Sequence, residues 1–188
     1  MPGVIAEARH SPIVRITHWL TAAAVAGLVV SGIAILLAHP RLYWGETGAL
    51  GTPSLVDLPL PMILTGQTGW GRYLHFLSAW ICVITAIAYV PSAVRAAHFS
   101  KYTRVQRTAY RAVVFVLFPV MIWTGLAMSP AVTSVFPLLV TSLGGQQSAR
   151  TIHFIDATLL LLFIAGHIVM VTRAGFSRHV GAMILGGA

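Results

Sequence analysis

Histidine is the residue type in this chain whose number and placement can do chemistry. Of eight imidazoles, four stand at the ends of apolar runs: His18 in "RITHWL", His75 in "RYLHFL", and His153 and His167 near the two ends of "TIHFIDATLLLLFIAGHIVMV". Neutral imidazole offers a lone pair to a metal or moves a proton. Inside hydrocarbon it is costly unless it faces the protein interior and meets a partner. On an α-helix the fourteen residues from His153 to His167 advance about 21 Å and return to within roughly 40° of the starting direction. The pair therefore shares one face, near opposite ends of one helix.

The runs that carry these residues have membrane-spanning character. Of 188 residues, 57% are hydrophobic and 9% charged, and the mean hydropathy of +0.83 lies far above that of a soluble domain. Apolar runs at about 16–38, 74–94, 111–128 and 152–171 each approach the roughly twenty residues that a bilayer demands. The chain thus reads as an all-α, integral membrane four-helix bundle, a single domain over residues 1–188. The first run is too long for the apolar core of a signal peptide. Cys82 is the only cysteine and sits inside an apolar run, which excludes a disulfide framework and a thiolate metal site. The net charge of +8 comes from twelve basic against four acidic side chains. Those bases edge the apolar runs, a pattern of membrane orientation and not of nucleic-acid binding.

The connection between the second and third runs holds Arg95, Lys101, Arg104, Arg107 and Arg111, and by the positive-inside rule it is cytoplasmic. Arg9 and Arg15 before the first run, with Arg173 and Arg178 after the fourth, place both termini on that same side. The first connection is rich in Gly and Pro and carries Tyr43, Trp44 and Trp70, so it is expected along the opposite interface. The third is of similar character, and the last glycine-rich residues read as the one disordered segment.

This topology sorts the histidines by depth. His18 and His167 fall at the inner side, His75 and His153 at the outer side, each pair drawn from two helices. Such an arrangement can hold two planar cofactors, one above the other, in a bundle. Haem fits best, because two neutral imidazoles fill both axial positions of its iron and the macrocycle fills apolar space. An iron so held carries electrons and has no open position. Without a CxxCH motif the attachment is non-covalent, giving two haem b groups. Arg15, Arg72 and Arg150 each stand three residues before a histidine of this set, one helical turn nearer the surface. They are placed either to meet haem propionates or simply to anchor topology, and Arg173 is a fourth such candidate. Asp156, one turn after His153, either bonds an imidazole, relays a proton, or is neutral and satisfied nearby. Gly27, Gly32, Gly125 and Gly166 permit close approach of a haem or of a facing helix. His10, His39, His98 and His179 read as surface residues, and no catalytic acid/base set or activated nucleophile is found.

The residues "ITHWL" and "YLHF", with the His153 to His167 spacing, resemble the bacterial cytochrome b561 family, which includes the cytochrome b subunits of hydrogenases and related reductases. The resemblance covers all four apolar runs. It implies an inner-membrane protein with two haem b groups that exchanges electrons with the quinone pool, its axial ligands at His18, His75, His153 and His167. One branch of the family oxidises superoxide at the outer face and reduces ubiquinone without a partner. Another anchors periplasmic enzymes such as molybdopterin oxidoreductases. The long first connection, from His39 to Gly71, suits a docking surface or a lid over the outer haem. The expected function is therefore transmembrane electron transfer between a periplasmic partner, a molybdopterin oxidoreductase or a c-type cytochrome, and quinone. In that scheme an external donor reduces the outer haem, and quinone or quinol exchanges electrons with one of the two. The alternative is a superoxide:ubiquinone oxidoreductase that draws its anion through Arg41, Arg72 and Arg150. A histidine-lined metal transporter is the third reading, for which Asp156 is the sole intramembrane carboxylate.

Overall fold

In a computed structural model, residues 11–48, 51–63, 69–95 and 104–186 are described; Arg9, His10, His98 and Lys101 lie outside them. Pro12 opens α1 (Pro12–Ala38), where a proline's missing N–H costs nothing. The first connection holds a minimal antiparallel ladder of β1 (Arg41–Leu42) and β2 (Val56–Asp57). α2 (Trp70–Arg95) follows. The third span runs from Arg104 to Ala127 as α3 (Arg104–Ala112), a π-helical turn over Val113–Leu117, and α4 (Phe118–Ala127). Two short helices, α5 (Pro130–Thr133) and α6 (Leu138–Thr141), lead to α7 (Gln146–Arg173), and α8 (Phe176–Leu185) closes the chain. The wide turn has a local cause. Pro119 has no N–H for the carbonyl four residues back, and just before it the Phe118 N–H reaches five residues back to Val113.

Among the described residues four helices are long and apolar enough to cross a bilayer. Each extends beyond its expected limits at one end or both: 12–38 against 16–38, 70–95 against 74–94, 104–127 against 111–128, and 146–173 against 152–171. Hydropathy marks the hydrocarbon slab, whereas backbone hydrogen bonding continues through the polar interface until a cap or breaker intervenes. Toward the glycine-rich end, residues up to Leu185 form α8, and Gly186 ends it in the left-handed conformation, its N–H on the Ala182 carbonyl; the expectation of disorder for the last residues falls in part on Gly187 and Ala188, outside the described residues.

Burial runs opposite to that of a soluble protein. The fully buried side chains of largest volume are Thr124, Ser31 and Ser148, while Ile87 is 69% and Leu162 65% exposed. Lipid solvates the large apolar side chains, so small and hydroxylated residues make the helix contacts. Thr21 and Thr85 join α1 to α2 through a 2.8 Å hydroxyl contact. Gly27 packs so closely that an added Cβ would lie 2.5 Å from Ser78 Oγ on α2. Of the two uses expected for Gly27, this is helix packing.

The first connection folds onto the start of α7 and does not merely lie along an interface. The Gly45 carbonyl accepts the N–H groups of Gln147 (3.0 Å) and Ser148 (3.3 Å), Ser148 Oγ accepts the Gly45 N–H at 2.8 Å, and Thr151 donates to the Tyr43 carbonyl at 2.6 Å. First-turn donors that no helix can satisfy alone are thereby occupied. The other side of the connection returns to α1, where the Ile63 N–H meets the Leu37 carbonyl at 2.8 Å. Gly145 makes the α7 junction possible: its φ of 116° and ψ of 176° belong to a region nearly reserved for glycine. A Cβ there would also sit 2.6 Å from the Gly45 backbone. Gly145→Ala should destabilise the detergent-solubilised protein by about 2 kcal/mol, read as a melting temperature several degrees lower. An unchanged melting temperature would show that this junction does not carry the fold.

Candidate functional site

α1 packs principally on α2, and α4 on α7, so the spans form two helical hairpins. Between α1 or α2 and α7 the backbone packing is sparse among the described residues. Imidazoles face one another across this gap. His18 on α1 meets His167 on α7 with ring centres 6.4 Å apart, and His75 on α2 meets His153 on α7 at 6.2 Å. The rings are tilted by 55° and 56°. The first pair lies toward the face that carries α8, here the terminal face; the second lies toward the first and third connections, the loop face.

These separations have a chemical meaning. A first-row metal sits roughly 2.0–2.1 Å from an imidazole nitrogen, and that nitrogen is about 1.1 Å from its ring centre, so one ion shared by two imidazoles sets the centres roughly 6.3 Å apart. Both pairs match that sum. Among the described residues no group of three or more His, Cys, Asp or Glu side chains gathers, so a metal here would take the rest of its coordination from a ligand other than these side chains. An equatorial macrocycle between two axial imidazoles meets that requirement.

At three of the four histidines the other ring nitrogen is engaged by a hydroxyl that no motif marks. His75 Nδ1 is 3.0 Å from Ser31 Oγ on α1, His153 Nδ1 is 2.8 Å from Thr124 Oγ1 on α4, and His167 Nδ1 is 3.4 Å from Tyr110 Oη on α3. Phe163 stacks on His167 at 6.4 Å and meets Tyr110 edge-on at 5.5 Å, so this aromatic group sets the ring on the terminal face. Hydroxyls inside apolar runs were the available signal, but only the packing shows which face each presents.

The remaining expected site residues divide. Arg15 donates to the Met183 carbonyl at 3.4 Å and also to that of Ile184, while Trp19 Nε1 donates to Met183 at 3.1 Å. These contacts fasten the carbonyl end of α8 to α1. Arg150 donates to the His39 and Arg41 carbonyls, holding the first connection over α7. Arg72 is exposed at the start of α2. Asp156 is 3% exposed, and its Oδ2 has no hydrogen-bond partner; the Nδ1 atoms of His75, His153 and His167 face hydroxyls instead. Gly32 and Gly125 border the imidazoles, since a Cβ on either would lie 3.8 Å from His75 Cε1 or 3.7 Å from His153 Cε1. Gly166 faces open space. His179 Nδ1 lies 3.0 Å from the Gly175 carbonyl on α8, and His39 ends α1.

The family model for prokaryotic cytochrome b561 matches residues 9–186. This chain belongs to that family. The cytochrome is also 30% identical, over 206 aligned positions, to a putative protein-methionine-sulfoxide reductase subunit YedZ1 from Azospira oryzae, with 94% of this chain and 96% of the relative covered. It is a multi-pass protein of the bacterial inner membrane, a haem b protein of electron transfer. The paired imidazoles across the inter-hairpin gap fit that cofactor.

The space beside His153 gives a test that separates size from general damage. A Cβ at Gly125 makes only ordinary contact with His153, whereas a longer side chain would press on the ring. Gly125→Ala should keep the haem content of the unmodified cytochrome and Gly125→Leu should lose haem, both read from the reduced-minus-oxidised spectrum. Equal haem content in the two variants would contradict this placement of the ring.

Proposed function

We propose that the chain binds two haem b groups and carries electrons between the quinone pool and a periplasmic redox partner. The observation that supports this reading is the occurrence of two imidazole pairs, both at the separation that one iron imposes, at opposite ends of α7. His18 with His167 would hold one haem, and His75 with His153 the other. Bound haem supplies a one-electron iron couple at each level. The protein's part is to fill both axial positions, so that the iron exchanges electrons without binding oxygen, and to keep the intervening space apolar. By the positive-inside rule the basic segment around Arg104, Arg107 and Arg111 lies in the cytoplasm, which puts the termini and the His18–His167 pair on that side.

Arg15, Arg72 and Arg150 are proposed to meet propionates. Arg72 is exposed for this. Arg15 and Arg150 already serve backbone carbonyls, but a guanidinium has five N–H donors and can serve a carboxylate as well.

The relative's name, a subunit of a protein-methionine-sulfoxide reductase, favours outward electron flow: quinol as donor, and as acceptor a periplasmic reductase subunit, of which a molybdopterin oxidoreductase is the type expected from sequence. The first connection, fixed to both α1 and α7, is the proposed docking platform. The superoxide reading calls on cations at the same end. Of these, Arg41 is paired with Asp57 at 3.0 Å and Arg150 is bound to carbonyls, which leaves Arg72 as the exposed candidate and favours a protein partner.

Ligand variants test the pairing directly. His153→Ala and His75→Ala should each remove the same haem, and His18→Ala and His167→Ala the other, so each single variant keeps about one of two haems. Loss of the same haem from His18→Ala and His153→Ala would overturn the assignment. Electron flow is tested by adding a reduced short-chain quinol to the purified oxidised cytochrome under anaerobic conditions. Haem reduction is expected; none would contradict exchange with the quinone pool.

A further inference from the structure

The two hydroxyls behind the loop-face imidazoles share a feature that favours one direction for their hydrogen bonds. Ser31 Oγ lies 2.6 Å from the Gly27 carbonyl and 3.2 Å from that of Leu28. Thr124 Oγ1 lies 2.8 Å from the Val120 carbonyl and 3.1 Å from that of Met121. A carbonyl can only accept, and a hydroxyl has a single proton. With its proton kept on its own helix, each hydroxyl turns a lone pair toward the imidazole. Both groups are then satisfied at once when Nδ1 of His75 and of His153 carries the ring proton and donates it to the hydroxyl.

We propose that Ser31 and Thr124 are positioning residues of the loop-face haem, locking His75 and His153 in the tautomer that keeps the proton on Nδ1 and presents the Nε2 lone pair to iron. The inference rests on the two-haem reading. Either nitrogen of a neutral imidazole can hold the proton, and the bond made by the other nitrogen decides which does. With the proton on Nε2 the iron-facing position would be blocked, and each hydroxyl, 2.8–3.0 Å from Nδ1, would have to withdraw its proton from its own helix to serve the bare nitrogen. Both hydroxyl groups are wholly buried, so no water competes for the bond. The arrangement repeats in the two hairpins: Ser31 on α1 serves His75 on α2, and Thr124 on α4 serves His153 on α7. An accepted Nδ1–H also makes the imidazole a stronger donor to the metal, which stabilises ferric over ferrous iron and lowers the potential of this haem. The terminal-face pair lacks the same device at His167, where the neighbour is a phenol at 3.4 Å.

The test is a redox titration, with haem content, of the full-length cytochrome carrying Ser31→Ala together with Thr124→Val. Expected is a rise in the midpoint potential of the loop-face haem, or loss of that haem alone. The terminal-face haem should be unmoved. The hydroxyl-retaining pair Ser31→Thr with Thr124→Ser should restore the unmodified behaviour. Unchanged content and potentials in the hydroxyl-free variant would overturn the proposal, and so would equal shifts of both haems, which would signal altered packing. If the hydroxyl-free variant does not fold, the unmodified protein decides: electron–nuclear double resonance on the ferric loop-face haem should detect one Nδ1 proton on each axial ligand, and absence of either proton would overturn the proposal. A colourless unmodified protein would instead refute the underlying haem reading.

Discussion

Everything in this bundle follows from the cost of keeping imidazoles in hydrocarbon. A polar ring in a bilayer needs partners from within the protein, and here each ring on α7 faces another ring at 6.2–6.4 Å across a gap between two hairpins. A metal ion with two imidazole ligands would span such a separation. The hairpins stand apart where a direct helix–helix core would otherwise form, and Gly32 and Gly125 border the rings with hydrogen in place of a side chain. Large apolar residues, which would fill the centre of a soluble bundle, point outward to lipid. The space between the hairpins suits the planar cofactor proposed to lie there.

The chain surrounds that space with hydroxyls. Tyr110 and Thr124 stand fourteen residues apart on the third span, the same interval as His167 and His153, the rings they contact on α7. The antiparallel course of the two helices places one hydroxyl at each level. On the other hairpin, Ser31 lies thirteen residues beyond His18, about 20 Å along α1, and so reaches the level of His75. One periodic rule accounts for imidazoles and hydroxyls alike: residues about four turns apart on a spanning helix stand at opposite leaflets.

Much of this was legible because a bilayer simplifies the code. Apolar length marks spans, basic residues mark sides, and a histidine at a span's end has a defined depth, so which rings stand at a common level follows from counting. What hydropathy does not encode is where backbone hydrogen bonding stops, and all four helices extend past the apolar limits by continuing through the interface. Ser31 and Thr124 had the right depth but no visible facing, since a lone Ser or Thr hydroxyl in an apolar run bonds its own helix on any face, and Tyr110 stands just before the third apolar run, among basic residues. Arg15 and Arg150 have the expected positions one turn from their histidines. Their contacts with α8 and with the first connection depend on segments whose fold no motif announces, as does the bond between Gly45 and the start of α7.

Two imidazole pairs imply a definite number and coordination of irons in the unmodified chain. Quantitative haemochrome analysis of the purified protein, paired with low-temperature electron paramagnetic resonance, measures both. About two haem b per chain are expected, both low-spin ferric with two imidazole ligands. A single haem per chain, or high-spin iron with an open axial position, would contradict this expectation.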